Sequence, residues 1–403
     1  MERIVIVGGG QAGASVAERL RAEGFAGRIE MFCAEPVPPY QRPPLSKKYL
    51  QGEMELERLF LRPESFYAEK GIDLRLGQAV TAVDPAAKTV TAVGASVPYD
   101  ALVLTTGSVP RRLPAAIGGD LGGVHVVRTL ADIDAMAPAC VEGARALVVG
   151  GGYIGLEAAA VAAKRGMDVT VIEMAPRILQ RVAAPETSDR FRVLHTGHGV
   201  AIREGVGLDR LLGEGQVTGA RLTSGEEIPC DLVVVGIGIA PDTALAAAAG
   251  LALENGIAVD EFGRTSDPAI WAAGDCASFP YKGGRIRLES VQNAIDQGAA
   301  VARNILGANA PYVPQPWFWS DQYEAKLQIA GLNTGYDRVV VRQGEDPDVV
   351  SHWYYAGARL IAVDAINDPR AYMVGKRLIE MGKSPDPALI ADPATELKPL
   401  LKA

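Results

Sequence analysis

The residues of this chain whose types and spacing could do chemistry are, first, glycines. Gly8, Gly10 and Gly13 fall as G-x-G-x-x-G, a spacing in which each glycine has a separate task. Gly8 permits a tight turn, Gly10 lets the backbone approach a pyrophosphate, and Gly13 lets a helix pack closely on a strand. The free N–H groups and partial positive charge at that helix's N-terminus suit phosphate oxygens. Glu35, about 20 residues further on, stands where a carboxylate can accept hydrogen bonds from a ribose diol. Gly-rich turns also serve plain packing, so one such motif decides little. Here the pattern returns at Gly150, Gly152 and Gly155, with Glu173 as the following acid. Two copies in the same setting imply two dinucleotide sites.

Several single residues carry a functional and a structural reading side by side. Lys47 follows the stiff Pro43-Pro44 pair, which presents it from a loop at the start of a helix. It reads as a solvated surface lysine by spacing alone, but its place after the second strand of a nucleotide unit favours a ligand. Glu157 lies two residues past Gly155 and is equally well a first-turn acid favoured by the helix dipole. Asp275, after a strand read from Thr265 to Gly274, can accept from a cofactor hydroxyl or cap a helix. Trp317 and Trp319 are by type core residues or functional ones.

The elements that must position these residues follow from periodicity. Arg3 to Val7 and Arg28 to Phe32 read as strands, with a helix over Gln11 to Glu23 between them. Ala146 to Val149, Tyr153 to Lys164 and Asp168 to Ile172 repeat this strand–helix–strand order. Period-two alternation over 74–104 suggests a strand-rich meander leaving at Thr105-Thr106-Gly107. Further strands are expected at 216–222 and Leu232 to Val235, a helix around Ala131 to Met136, and a helix from Val291 to Leu306. From Pro311 the composition shifts. Aromatics concentrate at Trp317-Phe318-Trp319 and Tyr323, and strands follow at 326–331, 337–342, 349–355 and 359–366, with a hairpin turn at Tyr355-Ala356-Gly357-Ala358 and a helix from Arg370 to Met381.

Composition narrows the class. An apolar content of 48% in 403 residues supports large cores and several domains. A net charge of −8 argues against nucleic acid as a main partner. The scattered Cys33, Cys140, Cys230 and Cys276 offer no spacing for zinc, an iron–sulfur cluster or a disulfide framework. They fit a reducing cytoplasm. The chain enters its first strand almost at once, leaving no room for a signal peptide, and its most apolar helical segments are too short to span a bilayer.

Together the motifs resemble the flavoproteins with two dinucleotide-binding domains. Within that superfamily the likeness is to the ferredoxin reductases of bacterial oxygenase systems. It covers nearly the whole chain and rests on Val7-Gly8-Gly9-Gly10-Gln11-Ala12-Gly13, Arg42-Pro43-Pro44-Leu45-Ser46-Lys47, Thr106-Gly107 and Gly150-Gly151-Gly152-Tyr153-Ile154-Gly155-Leu156-Glu157. Gly274-Asp275-Cys276-Ala277, Glu289-Ser290-Val291 with Asn293-Ala294, and Trp317-Phe318-Trp319-Ser320-Asp321-Gln322 complete it, the last being the most discriminating. Thr105 stands where the family usually has Ala. The resemblance implies an α/β fold of the glutathione reductase type: two Rossmann-like dinucleotide-binding domains plus a C-terminal α+β domain. The FAD domain would be discontinuous (1–108 and 238–311), the NAD domain would span 109–237, and an interface domain 312–403.

The resemblance also implies that Gly8, Gly10, Ala12, Gly13 and Glu35 hold the ADP half of FAD. Arg42 and Lys47 would reach the flavin, and Val80, Thr106, Arg128, Asp275 and Val291 would complete its site, Asp275 on the ribityl chain. Gly150, Gly152, Tyr153, Ile154, Gly155, Glu157, Glu173 and Gly238 would hold NADH. A carboxylate at Glu173 repels a 2′-phosphate and favours NADH over NADPH, although Arg177 nearby could accommodate one. Lys47, Glu157 and Trp319 would be catalytic: Lys47 paired with Glu157, Trp319 over the flavin edge. No metal is expected. Hydride from NADH would leave as single electrons for a [2Fe-2S] ferredoxin serving a cytochrome P450 or a dioxygenase.

A disulfide reductase or NADH oxidase is the rival chemistry, but Tyr40 to Lys48 contains no cysteine. A binding or signalling flavoprotein resembling apoptosis-inducing factor is the rival class. Docking an acidic ferredoxin would call for a local basic patch, with Arg285, Arg287, Lys326 and Arg342 as candidates. A monomer or weak dimer would serve.

Overall fold

A computed structural model describes residues 1–402. The chain divides into two compact units: Met1–Arg42, Met54–Val109 and Ile239–Pro314 form the first, and Pro43–Glu53, Pro110–Gly238 and Gln315–Ala403 the second.

The first unit is built on five parallel strands in the order Ile270–Ala272, Ala101–Leu104, Arg3–Val7, Arg28–Phe32, Ile72–Arg75. Ile4, Val5, Ile6, Ala101, Leu102, Val103 and Leu104 are all essentially inaccessible. That continuous apolar run is what a parallel strand covered on both faces requires. The Gln11–Ala22 helix buries Val16, Ala17 and Leu20 on this sheet, and Gly24 follows its end at φ +84°, a left-handed position suited to glycine. The Val291–Ile305 helix, capped by Ser290, packs beside it. Gly298 makes the crossing close, since a Cβ there would come within 2.8 Å of the Ala12 carbonyl oxygen. Ile72–Arg75 joins this parallel sheet rather than the expected meander, whose remaining strands Val80–Asp84, Thr89–Ala92 and Ala95–Pro98 form a separate antiparallel sheet.

The second unit repeats the plan. Its parallel strands run Ala201–Glu204, Asp168–Glu173, Arg145–Val149, Leu232–Val235, Val124–His125. The Tyr153–Lys164 helix follows the central strand and buries nearly every residue from Gly155 to Ala162. In each unit the motif strand is flanked on both sides, so the crevice beyond its carboxyl end is where an open α/β sheet binds ligands.

The same unit contains a five-stranded antiparallel sheet, ordered Trp317–Gln322, Ala325–Gly331, Arg359–Ile366, Val350–Ala356, Arg338–Gln343. The Pro369–Glu380 helix covers it around Trp353, Val363 and Leu378. Four of these strands follow the expected pattern. Trp317–Gln322 does not, because three consecutive aromatics hide the period-two alternation, and the strand is settled by pairing with Ala325–Gly331 across a turn at Tyr323.

Pro43–Glu53 groups with the second unit. Arg165 Nη1 donates to the Leu50 carbonyl at 2.7 Å, and Tyr49 donates to Asp134 at 3.0 Å. Lys47 lies within the irregular turn Leu45–Tyr49, at the point where the backbone leaves helical geometry (φ −131°, ψ −113°), rather than at a helix start. Asp275 caps no helix; the helix beyond it begins at Val291. Among the described residues no helix is long and apolar enough to cross a membrane.

Candidate functional site

The first cradle is shaped by what its glycines exclude. A Cβ on Gly8 would lie 2.2 Å from the Thr105 carbonyl oxygen, and one on Gly13 would lie 2.1 Å from the Gly8 oxygen. A Cβ on Gly10 would meet nothing within 4 Å. Two glycines are therefore demanded by packing, and the third borders open space where a diphosphate can reach the backbone. Thr105 ties the turn together: its hydroxyl lies 3.0 Å from both the Val7 and Gly8 carbonyl oxygens. A hydroxyl is thus accommodated where the family has a methyl.

Glu35 is engaged at both oxygens. Arg42 Nη2 donates to Oε1 at 2.8 Å and the Tyr40 hydroxyl donates to Oε2 at 2.6 Å. Arg42 also lies over the Tyr40 ring and within 3.1 Å of its hydroxyl. Each carboxylate oxygen retains acceptor capacity for a ribose hydroxyl. Sequence reasoning placed Arg42 toward the flavin; in the structure its guanidinium is also held by the acid that would take the adenosine ribose.

The other first-unit candidates sit at strand and helix ends. Ala12 is buried where Gly274 (φ +83°) turns, a Cβ on that glycine coming within 2.9 Å of the Ala12 Cβ. Asp275 Oδ2 accepts from the Ser108 hydroxyl at 2.9 Å, a partner that sequence reasoning missed. Thr106 donates to the Asp242 carbonyl at 2.6 Å. Val80 opens the Val80–Asp84 strand and Val291 the Val291–Ile305 helix.

The second cradle repeats the first. A Cβ on Gly150 would lie 2.5 Å from the Gly236 oxygen and one on Gly155 would lie 2.1 Å from the Gly150 oxygen, whereas Gly152 faces open space. Gly236, legible in the sequence as part of a glycine-punctuated strand exit, packs where Thr105 packs in the first unit. The Glu173 carboxylate accepts from the Gly151 and Ala175 N–H groups, each at 2.8 Å, which fixes it at the mouth of the cradle. Arg177 donates to the Ser188 hydroxyl at 2.5 Å and the Ala183 carbonyl at 2.8 Å, so its guanidinium is held by its own loop. Ile154, Met174 and Ile237 are exposed apolar side chains around this mouth, a surface that suits flat nucleotide rings. Met174 is a further residue that sequence reasoning did not reach. Gly238 adopts φ +99° and its carbonyl accepts from the Arg111 N–H. Arg128, in the segment before the Leu130–Met136 helix, and Lys47 both belong to the second unit.

Lys47 Nζ stands 3.1 Å from Glu157 Oε1 and 3.9 Å from Asp321. Glu157 projects from the Tyr153–Lys164 helix and is almost wholly buried. Burial pushes its carboxyl above the usual range, while Lys47 and the Ser320 hydroxyl pull it back. Ser320 donates to Oε1 at 2.7 Å. The Trp317–Gln322 strand alternates, so Ser320 and Gln322 point inward while Trp317 and Trp319 lie on its other face, with ring centroids 5.5 Å apart.

All four cysteines are buried. Burial pushes the Cys33 thiol up to about 12, and the Cys276 thiol is also raised by its surroundings. Thiolate chemistry at neutral pH is disfavoured at both.

Residues 2–298 match the family described as pyridine nucleotide-disulphide oxidoreductase, and residues 317–401 the one described as reductase C-terminal. A ferredoxin–NAD(P)(+) reductase of a Sphingomonas species is 46% identical over 98% of this chain and 96% of its own length. The rhodocoxin reductase of Rhodococcus erythropolis is 43% identical over 96% and 92%. The solved covalent complex of putidaredoxin reductase with putidaredoxin superposes with a TM-score of 0.95 at 40% identity, covering 100% of this chain and 98% of the reductase.

Proposed function

Since the chain belongs to the pyridine nucleotide-disulphide oxidoreductase family, among its ferredoxin reductases, we propose that it oxidises NADH and delivers the electrons, one at a time, to a [2Fe-2S] ferredoxin. That ferredoxin would serve a cytochrome P450 or another oxygenase. The observation that carries this reading is the pair of matched glycine cradles, each with one open glycine, on a chain whose thiols are all buried. Bound FAD would supply two-electron acceptance from NADH and one-electron release.

The chain's own residues divide the remaining work. The turn at Gly8, Gly10 and Gly13 holds the FAD diphosphate, with Glu35 on the ribose, fixed by Arg42 and Tyr40. Asp275, steadied by Ser108, takes the ribityl hydroxyls, and the functional FAD domain comprises 1–108 and 238–311. The turn at Gly150, Gly152 and Gly155 holds the nicotinamide dinucleotide, within a domain spanning 109–237. Glu173 accepts from its adenosine ribose and turns away a 2′-phosphate, while Arg177 is held by its own loop through Ser188 and Ala183. Segment 312–403 meets the ferredoxin. Lys47 carries positive charge to where hydride arrival builds negative charge, and Glu157 orients it. The dispersed, buried cysteines suit action in the cytoplasm.

The test is NADH-driven reduction of ferredoxins encoded beside this gene, using purified protein assayed for FAD. Lys47→Ala is expected to slow stopped-flow reduction by NADH about tenfold to a hundredfold. An unaltered rate removes Lys47 from the mechanism, and protein that neither carries nor takes up FAD removes the reading altogether.

A further inference from the structure

Glu157 is the end of a buried chain of hydrogen bonds whose other members have no part in the reading above. Ser320 Oγ donates to Glu157 Oε1 at 2.7 Å, Gln322 Nε2 donates to Ser320 Oγ at 3.1 Å, and His195 Nε2 lies 2.7 Å from Gln322 Oε1. Ser320, Gln322 and His195 are each 1% exposed or less. They come from the Trp317–Gln322 strand and the Pro185–Gly197 helix, and Glu157 from a third element.

The polarity of this chain follows from chemistry. An ionised carboxylate only accepts, so the Ser320 proton must point at Glu157. Ser320 Oγ can then only accept from Gln322, which must present its NH2 group there and its oxygen to the imidazole. His195 must therefore carry its proton on Nε2. His195 Nδ1 is buried and has no hydrogen-bond partner among the described residues. In the opposite tautomer Nδ1–H would be a buried donor without an acceptor, which is costly. Burial also lowers the His195 pKa, keeping the ring neutral.

We propose that Ser320, Gln322 and His195 are positioning residues, a one-directional hydrogen-bond chain that holds Glu157 ionised and turned to Lys47. Protonating Glu157 at Oε1, the oxygen that Ser320 reaches, would reverse the chain: Glu157 would donate to Ser320, Ser320 to the Gln322 oxygen, and the Gln322 amide to a deprotonated Nε2, forcing the proton of His195 onto Nδ1. The missing partner at Nδ1 disfavours that state. The Ser320 hydroxyl is thereby kept donating to Oε1, and that hydrogen bond favours the charged carboxylate against its burial. Its other charged neighbour, Asp321, pushes the carboxyl upward, as burial does, and Ser46 stands 3.5 Å from Oε2. Around the far end, Tyr323 packs edge-on to His195 and stacks on His198, with Lys164 Nζ 5.9 Å from its ring, and His198 itself lowers the His195 pKa.

This inference rests on the assignment of Lys47 and Glu157 to hydride transfer, and two readouts separate the two claims. The first is the imidazole 15N and 13C spectrum of His195 in the FAD-loaded protein. The wild type is expected to show the neutral Nε2–H tautomer alone, and Ser320→Ala a mixture, because the Gln322 amide is then free to turn. The second is the pH profile of flavin reduction by NADH. Ser320→Ala is expected to lose about tenfold on the mildly acidic side, as Glu157 gains a proton, and the added ionisation is expected to vanish in Ser320→Ala/Glu157→Gln. Gln322→Met, close in shape but without the amide, is expected to give both effects should Ser320→Ala fold poorly. A pure Nε2–H signal and an unchanged profile in both variants overturn the chain. A Glu157→Gln single variant that reduces at the wild-type rate overturns the role of Glu157 instead, and the His195 signal then decides the chain by itself.

Discussion

At the scale of single residues, Glu173 shows how one side chain can serve the fold and a specificity at once. Its oxygens hold the Gly151 and Ala175 N–H groups and still have lone pairs for a ribose diol. A 2′-phosphate there would meet a fixed negative charge, with Arg177 already committed to Ser188 and Ala183. Glu173→Gln is expected to narrow the preference for NADH over NADPH by about tenfold, read as the ratio of the two kcat/KM values. An unchanged ratio would place selectivity elsewhere. Glu173, Glu35 and the six cradle glycines were legible in the sequence because their roles are local: spacing along a few residues fixes where each backbone atom lies. Ser320 and Gln322 were quoted in a motif but given no task. Their task depends on which helix their strand packs against, and no periodicity encodes partners 163 and 127 residues away. The hydrogen bonds of Arg42 to Glu35 and Tyr40 were hidden for a related reason, since they arise from how the loop folds back.

Elements turn these residues into sites, and their tolerance to change can be ordered. Gly13 sits where its helix crosses the motif strand, and a Cβ there would strike the Gly8 oxygen. Gly10 is extended (φ −97°, ψ −167°) and open. Gly10→Ala is thus expected to leave the Tm of the FAD-free protein within about 1 °C of wild type while lowering FAD content at purification. Gly13→Ala is expected to lower that Tm by several degrees, on the order of 2 kcal/mol of overpacking. Equal Tm losses from both would show that Gly10 is also a packing residue.

A second element-scale device lies under the C-terminal sheet. Thr187 Oγ1 donates to Asp364 at 2.9 Å and lies 2.7 Å from His352 Nδ1, with Tyr354 also donating to Asp364. Burial pushes the Asp364 carboxyl up to about 6 and the His352 imidazole down to about 4. Folded Asp364 keeps a proton that the unfolded chain releases, so its contribution falls as pH rises from the ordinary carboxyl range toward about 6. Folded His352 lacks a proton that the unfolded chain binds, so its contribution grows over nearly the same interval. The two slopes oppose each other. His352→Gln is expected to leave a Tm that falls between about pH 4 and 6, and Asp364→Asn one that rises, with the wild type flatter than either. Parallel curves in all three proteins would show that the pair does not titrate in this window.

For the molecule as a whole, the question is how a protein of net charge −8 meets its ferredoxin. The basic residues suggested by sequence answer little of it. Arg285 donates to the Val259 and Ser278 carbonyls, and Arg287 to the Asn255 and Asp275 carbonyls. Arg342 donates to carbonyls of Ile390, Asp392, Pro393 and Thr395, fastening the chain's last segment to the sheet. These arginines look like surface charges in a sequence because a carbonyl partner leaves no mark there. With their guanidinium groups so engaged, shape and aromatic contact must carry more of the docking, and the half-exposed tryptophans of the Trp317–Gln322 strand are suited to it. Trp319 packs against Trp317 and Phe318 with centroids 5.5 and 6.4 Å away, so truncating it removes one ring and leaves its neighbours in place. Trp319→Ala is expected to slow NADH-driven ferredoxin reduction at least about tenfold while NADH-driven reduction of a small dye changes less than about twofold. If the dye and ferredoxin activities fell together, Trp319 would be supporting the fold of its strand, and the route to the carrier would have to be sought on another face of residues 315–402.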